Sequence, residues 1–228
     1  MIHINIPEAR EQKLEFLPAT PAKKGLRSAT PPASSLSLGG PVVIALTADA
    51  VKEDADLIEY VKQTQNSHRF FLIHLACTFV PTDGEAFDKA WIQIRLSRSD
   101  GRDAPKPVAW SMKPQKLSED LEVTQTAKIG SKLELLEAGL ESGQKRTYKL
   151  VYLQPLNELQ WNPAWHLKSI EGVDIDGSYR FQLIVQSPAD VGALGEIELT
   201  AELRRKKWGL IPYKAAFPGA PHLSFPLG

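Results

Sequence analysis

From Arg69 to Arg98 the sequence reads Arg69-Phe-Phe-Leu-Ile-His-Leu-Ala-Cys-Thr-Phe-Val80, then a turn-rich segment, then Ala90-Trp-Ile-Gln-Ile-Arg-Leu-Ser97. Apolar and polar residues alternate in the second run, which is typical of a strand with one buried face. The first run is apolar on both faces, as in a central strand that is covered on both sides. The stretch therefore predicts a β-hairpin at the centre of an all-β domain.

The rest of the chain repeats this pattern of short strands separated by turn signals. Tyr179–Val185 and Ile197–Leu203 alternate in the same way, and Arg180-Phe-Gln-Leu-Ile184 resembles the start of the first apolar run. A parallel α/β sheet would need a helix between successive strands, and these are missing. We therefore predict a mainly β protein, a two-sheet antiparallel β-sandwich, with two related hairpin-containing halves as an open alternative.

Two segments differ from this pattern. Apolar residues recur at helical spacing between Ala48 and Gln65, which predicts one amphipathic helix. Residues 1–40 are rich in proline, alanine and serine, so we expect a flexible N-terminal arm or linker that buries little apolar surface. Residues 41–228 are predicted to form a single β-sandwich domain.

Composition limits the classes of function. The chain has 228 residues, with 27 basic and 27 acidic residues, so no global charge favours nucleic acid or an anionic membrane. Its single cysteine, Cys77, excludes an internal disulfide and fits a reducing compartment. We find no leader pattern and no apolar segment of membrane-spanning length. On these grounds the sequence predicts a cytoplasmic protein.

Metal and cofactor sites receive little support. His74 and Cys77 are three residues apart, and on a strand such side chains point to opposite faces, so they cannot share a zinc ion. Loops at Asp100 and Asp174 carry acid and glycine residues that suit calcium, but the same residues are ordinary in turns. We predict no metal site and no cofactor, and leave open whether the Asp100 and Asp174 loops bind an ion.

No catalytic signature is present. The sequence lacks a Gly-x-Ser-x-Gly elbow, a His-Glu-x-x-His motif and a phosphate-binding glycine loop. A convergent site needs no motif, so a hydrolytic enzyme with a site near His166, Asp174 and Asp176 stays an alternative. No catalytic residue is predicted.

One concentrated basic run, Arg204-Arg-Lys-Lys-Trp208, offers a second alternative. Basic residues beside an aromatic ring can bind phosphates, nucleic acid or a membrane surface. Glutamates in the preceding strand weaken the local positive field, so nucleic acid is an unlikely partner. The same run would also protect the end of a strand from pairing with another chain.

The absence of catalytic signatures and the proline-rich tails favour a non-catalytic protein–protein interaction or assembly module. Such a structural, oligomeric protein would bind another protein or its own copies. Tryptophan and arginine dominate binding hot spots. The predicted partner-binding residues are Trp91, Trp110, Trp208, Arg204, Arg205, Lys206 and Lys207.

Overall fold

The structure is a computed structural model of the whole chain. It describes residues 11–18, 32–47, 55–103, 105–123, 146–170, 172–205, 213–217 and 222–228.

Thirteen strands and one helix are described. In the first half these are β1 (Glu11–Lys13), β2 (Glu15–Pro18), β3 (Ser35–Leu46), α1 (Ala55–Thr64), β4 (His68–Val80), β5 (Glu85–Arg98), β6 (Val108–Lys113) and β7 (Leu117–Val123). In the second half they are β8 (Arg146–Leu156), β9 (Ala164–Lys168), β10 (Gly177–Pro188), β11 (Ala193–Arg205), β12 (Tyr213–Ala216) and β13 (Leu223–Pro226).

The strands form two antiparallel sheets that pack face to face. One sheet has five strands in the order β1-β3-β4-β10-β6. The other has eight, in the order β2-β12-β11-β5-β9-β8-β7, with β13 also paired to β11. This architecture confirms the predicted mainly β, two-sheet antiparallel sandwich with one helix.

The predicted hairpin from Arg69 to Arg98 was wrong in one respect, because its two strands lie in different sheets. β4 pairs with β3 and β10, whereas β5 pairs with β9 and β11. The chain crosses from one sheet to the other between them, and the rings of Phe79 and Phe87 meet edge to face at 5.2 Å across the crossing. β10 and β11 also lie in different sheets, with β10 paired to β4 and β11 paired to β5. The two stretches of similar sequence are therefore neighbours in both sheets.

Strand β4 is covered on both faces, as its sequence predicted. Ile73, Leu75 and Phe79 are buried against the eight-stranded sheet in the main core. On the opposite face Phe70 and Leu72 form a second cluster with Val61 of α1. The helix therefore covers one end of the outer face of the five-stranded sheet.

The first strands cross the predicted boundary at residue 40. β3 begins at Ser35, because Leu36 and Leu38 alternate into the core and are fully buried. β1 pairs with β3 and β2 pairs with β12, and Leu14 between them is buried. The described parts of the predicted arm therefore belong to both sheets, whereas residues 1–10 and 19–31 lie outside the described residues.

The predicted helix from Ala48 to Gln65 is observed as α1, with residues 48–54 outside the described residues. Strand β7 pairs with β8 in the eight-stranded sheet.

One side of the sandwich is closed by an irregular segment, residues 157–163, between β8 and β9. The Ala109 N–H of β6 donates to the Gln160 carbonyl at 2.9 Å. The Leu96 N–H of β5 donates to the Trp161 carbonyl at 2.7 Å. The segment thus joins the edge strand of the five-stranded sheet to the middle of the other sheet.

Candidate functional site

Trp91 lies on the outer face of the eight-stranded sheet with 41% of its surface exposed. It is opposite His166 of β9 and Thr200 of β11 in the strand register. The indole stacks on the His166 ring, with ring centroids 4.2 Å apart and planes 18° apart. Trp91, one of the three predicted partner-binding tryptophans, is therefore exposed on the surface of the sheet.

Among the described residues, none is placed to orient His166 as the base of a hydrolytic site would be oriented. Burial and the nearby Lys89 and Lys168 lower the pKa of the imidazole, which favours the uncharged form of the ring. Its Nε2 atom is buried without a hydrogen-bond partner, and no described carboxylate is hydrogen-bonded to the ring. Asp174 and Asp176 are exposed and do not orient it.

The Asp100 and Asp174 loops lie at opposite ends of the sandwich. Asp174 precedes the first residue of β10. Asp100 lies beside Arg98, which forms an ion pair with Asp190 just after the last residue of β10. The twelve residues of β10 therefore separate the two loops by about 40 Å. A two-point hydrogen bond from the Arg98 guanidinium holds the pKa of Asp100 well below its usual range. Among the described residues no group of three or more His, Cys, Asp or Glu side chains is placed to hold a metal ion.

The other predicted partner-binding residues do not form one exposed surface with Trp91 among the described residues. Trp110 stacks on Tyr60 of α1 at 5.5 Å and contacts Phe70, so it stabilises the helix on the sheet. Arg204 is exposed but forms an ion pair with Asp88 at 2.7 Å. Arg205 is the last residue of β11, and Lys206, Lys207 and Trp208 lie outside the described residues.

A second surface follows the edge strand β6 and was missed by the sequence analysis. Leu159 has a backbone φ of 64°, in the left-handed region that disfavours a leucine. Its side chain is nevertheless 61% exposed, the largest exposure of any large apolar residue described. A strained backbone that holds an apolar side chain in water is a functional indication, because neither feature stabilises the fold.

Hydrogen bonds hold this strained conformation in place. The Leu159 N–H donates to the Ala109 carbonyl at 2.8 Å, and the Gln160 N–H donates to the Asn157 carbonyl at 3.1 Å. The Asn157 side-chain amide donates to the Asn162 carbonyl at 3.1 Å. These bonds connect the segment to β6 and to itself, so Leu159 is presented on a firmly held backbone.

Beside Leu159, Trp161 is 39% exposed. The Lys106 ammonium lies 4.5 Å from the centroid of its ring, a cation–π contact. Lys113 at the end of β6 and Lys116 just beyond it are exposed, and no described residue forms an ion pair or hydrogen bond with either. The exposed Glu158 accepts a hydrogen bond from the Met112 N–H at 3.1 Å and lies on the same surface. We call this surface the β6 edge; its residues are Lys106, Lys113, Lys116, Glu158, Leu159 and Trp161.

Part of the β6 edge was readable in the sequence. Three lysines and no acidic residue occur between Asp103 and Glu119, so this part of the sequence is locally cationic. The position of Leu159 was not readable, since nothing in Asn157-Glu-Leu-Gln160 reveals a left-handed backbone. Trp161 and Trp165 are four residues apart in the sequence, but only Trp165 is fully buried.

No protein-family model matches the chain, and no curated protein sequence matches it closely. Among solved structures, the chain is similar to the NetB toxin of Clostridium perfringens in its membrane-inserted form. The match covers 95% of each chain at 8% sequence identity, with a TM-score of 0.31.

This comparison contradicts two predictions. The matched protein is described as a toxin in a membrane-inserted form, whereas the sequence predicted a cytoplasmic, structural protein-interaction or assembly module. Both predictions were wrong against that finding. The assembly-module prediction rested on missing catalytic motifs and on proline-rich tails, and the cytoplasmic prediction rested on the single cysteine and on missing targeting and membrane-spanning patterns. At this identity and TM-score the likeness assigns no activity to the present chain.

No helix among the described residues is long and apolar enough to cross a membrane.

Proposed function

We propose that the chain binds the surface of an anionic lipid bilayer through the β6 edge. The observation that carries this proposal is Leu159, an exposed leucine held at a positive φ by backbone hydrogen bonds. An apolar side chain kept in water at a conformational cost needs an apolar environment elsewhere, and the hydrocarbon boundary of a bilayer supplies one.

The neighbours of Leu159 suit a lipid interface. Tryptophan favours the headgroup level, where its ring is covered and its N–H stays wet, and Trp161 is half covered in this way already. Lys106 packs its stem against that ring while its ammonium can reach phosphate. Leu159 and Trp161 are exposed two residues apart on the same segment, and Lys106 contacts the Trp161 ring.

Charge along the edge is mixed but net positive. The Met112 N–H of β6 donates to the carboxylate of the exposed Glu158 at 3.1 Å, so one acidic side chain lies on this edge among three lysines. Lys113 and Lys116 stand at one end of β6 and Lys106 before the other, roughly 20 Å apart along a six-residue strand. Lys106 also forms an ion pair with the fully exposed Asp103 at 3.4 Å, which water weakens strongly. Each lysine near an anionic bilayer contributes on the order of 1 kcal/mol. Binding should therefore be reversible and sensitive to salt.

The test is cosedimentation with vesicles of phosphatidylcholine alone and of phosphatidylcholine with phosphatidylserine. The wild-type chain should bind the anionic vesicles and lose binding as salt rises. The double variant Lys113→Gln/Lys116→Gln should bind them about 30-fold more weakly, since it removes about 2 kcal/mol of attraction.

The matched control is Lys13→Gln/Lys62→Gln, which removes two exposed lysines that lie elsewhere, on β1 and α1. It should bind as the wild type does. Equal binding by both double variants, or no binding of the wild type to anionic vesicles at low salt, would refute the proposal.

Association of copies of this chain is a second part of the proposal. β7 is the last strand of the eight-stranded sheet, and no described strand pairs with its outer edge. Such an edge can pair with another copy. Self-association is measured by light scattering of the chain alone and by cross-linking with and without vesicles. Monomers with and without vesicles would refute self-association, whereas lipid binding is tested separately by cosedimentation.

A further inference from the structure

We propose a second binding site, independent of the β6 edge, in which Trp91 binds the ring of an uncharged sugar. Trp91 is on the outer face of the eight-stranded sheet, 41% exposed, in the middle of strand β5. A tryptophan at the centre of a water-facing sheet face is not needed for the core, because the buried residues of β5 are its alternate ones, Ile92 and Ile94.

The indole is held as a platform. The His166 ring stacks on it at 4.2 Å and 18°, which restricts its rotation. Burial favours the uncharged form of the imidazole, and an uncharged ring does not draw the π electrons of the indole towards a cation. The electron-rich face of a tryptophan attracts weakly positive C–H groups, and one face of a pyranose ring presents several of these.

Polar side chains surround the platform. The strand register places Thr200 on one side of Trp91, and Gln154 beyond His166 on the other. Gln93 follows two residues along β5 and shares the outer face. Hydroxyl and amide groups of this kind donate and accept hydrogen bonds, as the hydroxyl groups of a sugar require.

The charges around Trp91 decide which ring-shaped ligand fits. Lys89 and Glu202 form an ion pair at 3.6 Å, and Arg95 and Glu198 form another at 2.9 Å. Lys168 adds a cation opposite Lys89, and Glu196 adds a carboxylate two residues from Glu198 on β11. The described charges on this face therefore balance and give little of the positive field that a nucleotide phosphate would need. Among the described residues of this face, the large exposed apolar side chains are Trp91 and Leu194, which lie about 20 Å apart along the strands and form no contiguous patch. An uncharged, hydroxyl-rich ring is the ligand that matches.

The experiment is a glycan array probed with the full chain, followed by titration of the neutral glycans that bind. We expect binding to neutral glycans, weakened about tenfold or more in Trp91→Ala and largely retained in Trp91→Tyr, which keeps an aromatic platform. Trp161→Ala is the control for loss of an exposed tryptophan elsewhere and should bind glycans as the wild type does. Thermal unfolding checks that each variant is folded.

Three results would overturn the proposal: no neutral glycan bound by the wild type, binding unchanged in Trp91→Ala, or binding confined to phosphorylated or acidic ligands. Trp91→Ala should also retain full binding to anionic vesicles. Failure of the sugar site and failure of the lipid-binding proposal can therefore be distinguished in one set of variants.

Discussion

Replacing Leu159 by asparagine should make the protein more stable and, at the same time, a weaker binder of anionic vesicles. Asparagine tolerates the left-handed region in which the backbone of residue 159 lies, at a φ of 64°. The substitution therefore removes a conformational cost of about 1 to 2 kcal/mol. It also removes the exposed apolar side chain that we place in the bilayer interface.

The magnitudes follow from the exposure of the side chain. Leu159 is 61% exposed, so it loses little buried contact, about 0.5 to 1 kcal/mol, when it is replaced. The net gain in the free energy of unfolding is then about 0.5 to 1 kcal/mol, or roughly 2 °C in Tm for a chain of this length. Transfer of the exposed part into the interface is worth about 1 to 2 kcal/mol, so vesicle affinity should fall about 5- to 30-fold.

Two measurements on one variant check this reasoning: urea unfolding for stability, and cosedimentation with anionic vesicles for binding. The matched control is Leu194→Asn, because Leu194 is 40% exposed but lies on strand β11 away from the β6 edge. That variant should lose a little stability and bind vesicles normally. A Leu159→Asn protein that is less stable than the wild type and binds vesicles equally well would refute the argument from strain and exposure.

Two further predictions concern the core and the pH dependence of stability. Gly195→Ala should lower the free energy of unfolding by about 1 to 3 kcal/mol, because the new Cβ would lie 2.3 Å from the Phe225 ring; urea unfolding measures this, and an unchanged midpoint would contradict it. Burial lowers the pKa of both His74 and His166 below the usual 6.5, with Arg180 adding to the effect at His74. Below about pH 6.5 the unfolded chain therefore binds more protons than the folded chain does. The free energy of unfolding should be constant above that pH and decrease as the pH falls below it. Over the same range, the Tm of the His74→Gln/His166→Gln variant should decrease less than that of the wild type.

The sequence predicted which residues of each strand are buried better than it predicted which strands pair. Alternation placed Ile92, Ile94 and Leu96 on one face, and all three are fully buried. The same alternation is compatible with a hairpin within one sheet and with a crossing between two facing sheets. Since both bury the same faces, local pattern could not tell that β4 and β5 lie in different sheets.

Composition misled where a few apolar residues decided the structure. The proline and serine content of residues 1–40 predicted an arm, yet Leu36 and Leu38 alone suffice to place the start of β3 in the core. A window average dilutes two buried leucines among small residues. Residue-by-residue alternation from Ser35 onwards would have found the strand.

The candidate site was even less predictable, because it depends on backbone geometry. Trp161 and Trp165 differ by four residues in the sequence, yet one is exposed beside a lysine and the other is fully buried with its indole N–H donating to the Pro114 carbonyl at 3.3 Å. Only the path of residues 157–163 between the two sheets separates them. The three lysines of the β6 edge were visible in the sequence, but their alignment with Leu159 was not.

The positions of the two proposed sites constrain how they can work together. The β6 edge lies at a side of the sandwich, whereas Trp91 lies on the outer face of the eight-stranded sheet, and a side of a sandwich is roughly perpendicular to its faces. A bilayer that contacts the β6 edge therefore leaves Trp91 in water, facing along the membrane surface. A sugar carried by a lipid headgroup or by a neighbouring glycoprotein projects into that same layer of water. Vesicles that contain a neutral glycolipid should accordingly bind the wild-type chain more tightly than plain anionic vesicles, and this gain should disappear in Trp91→Ala while the underlying anionic binding is kept.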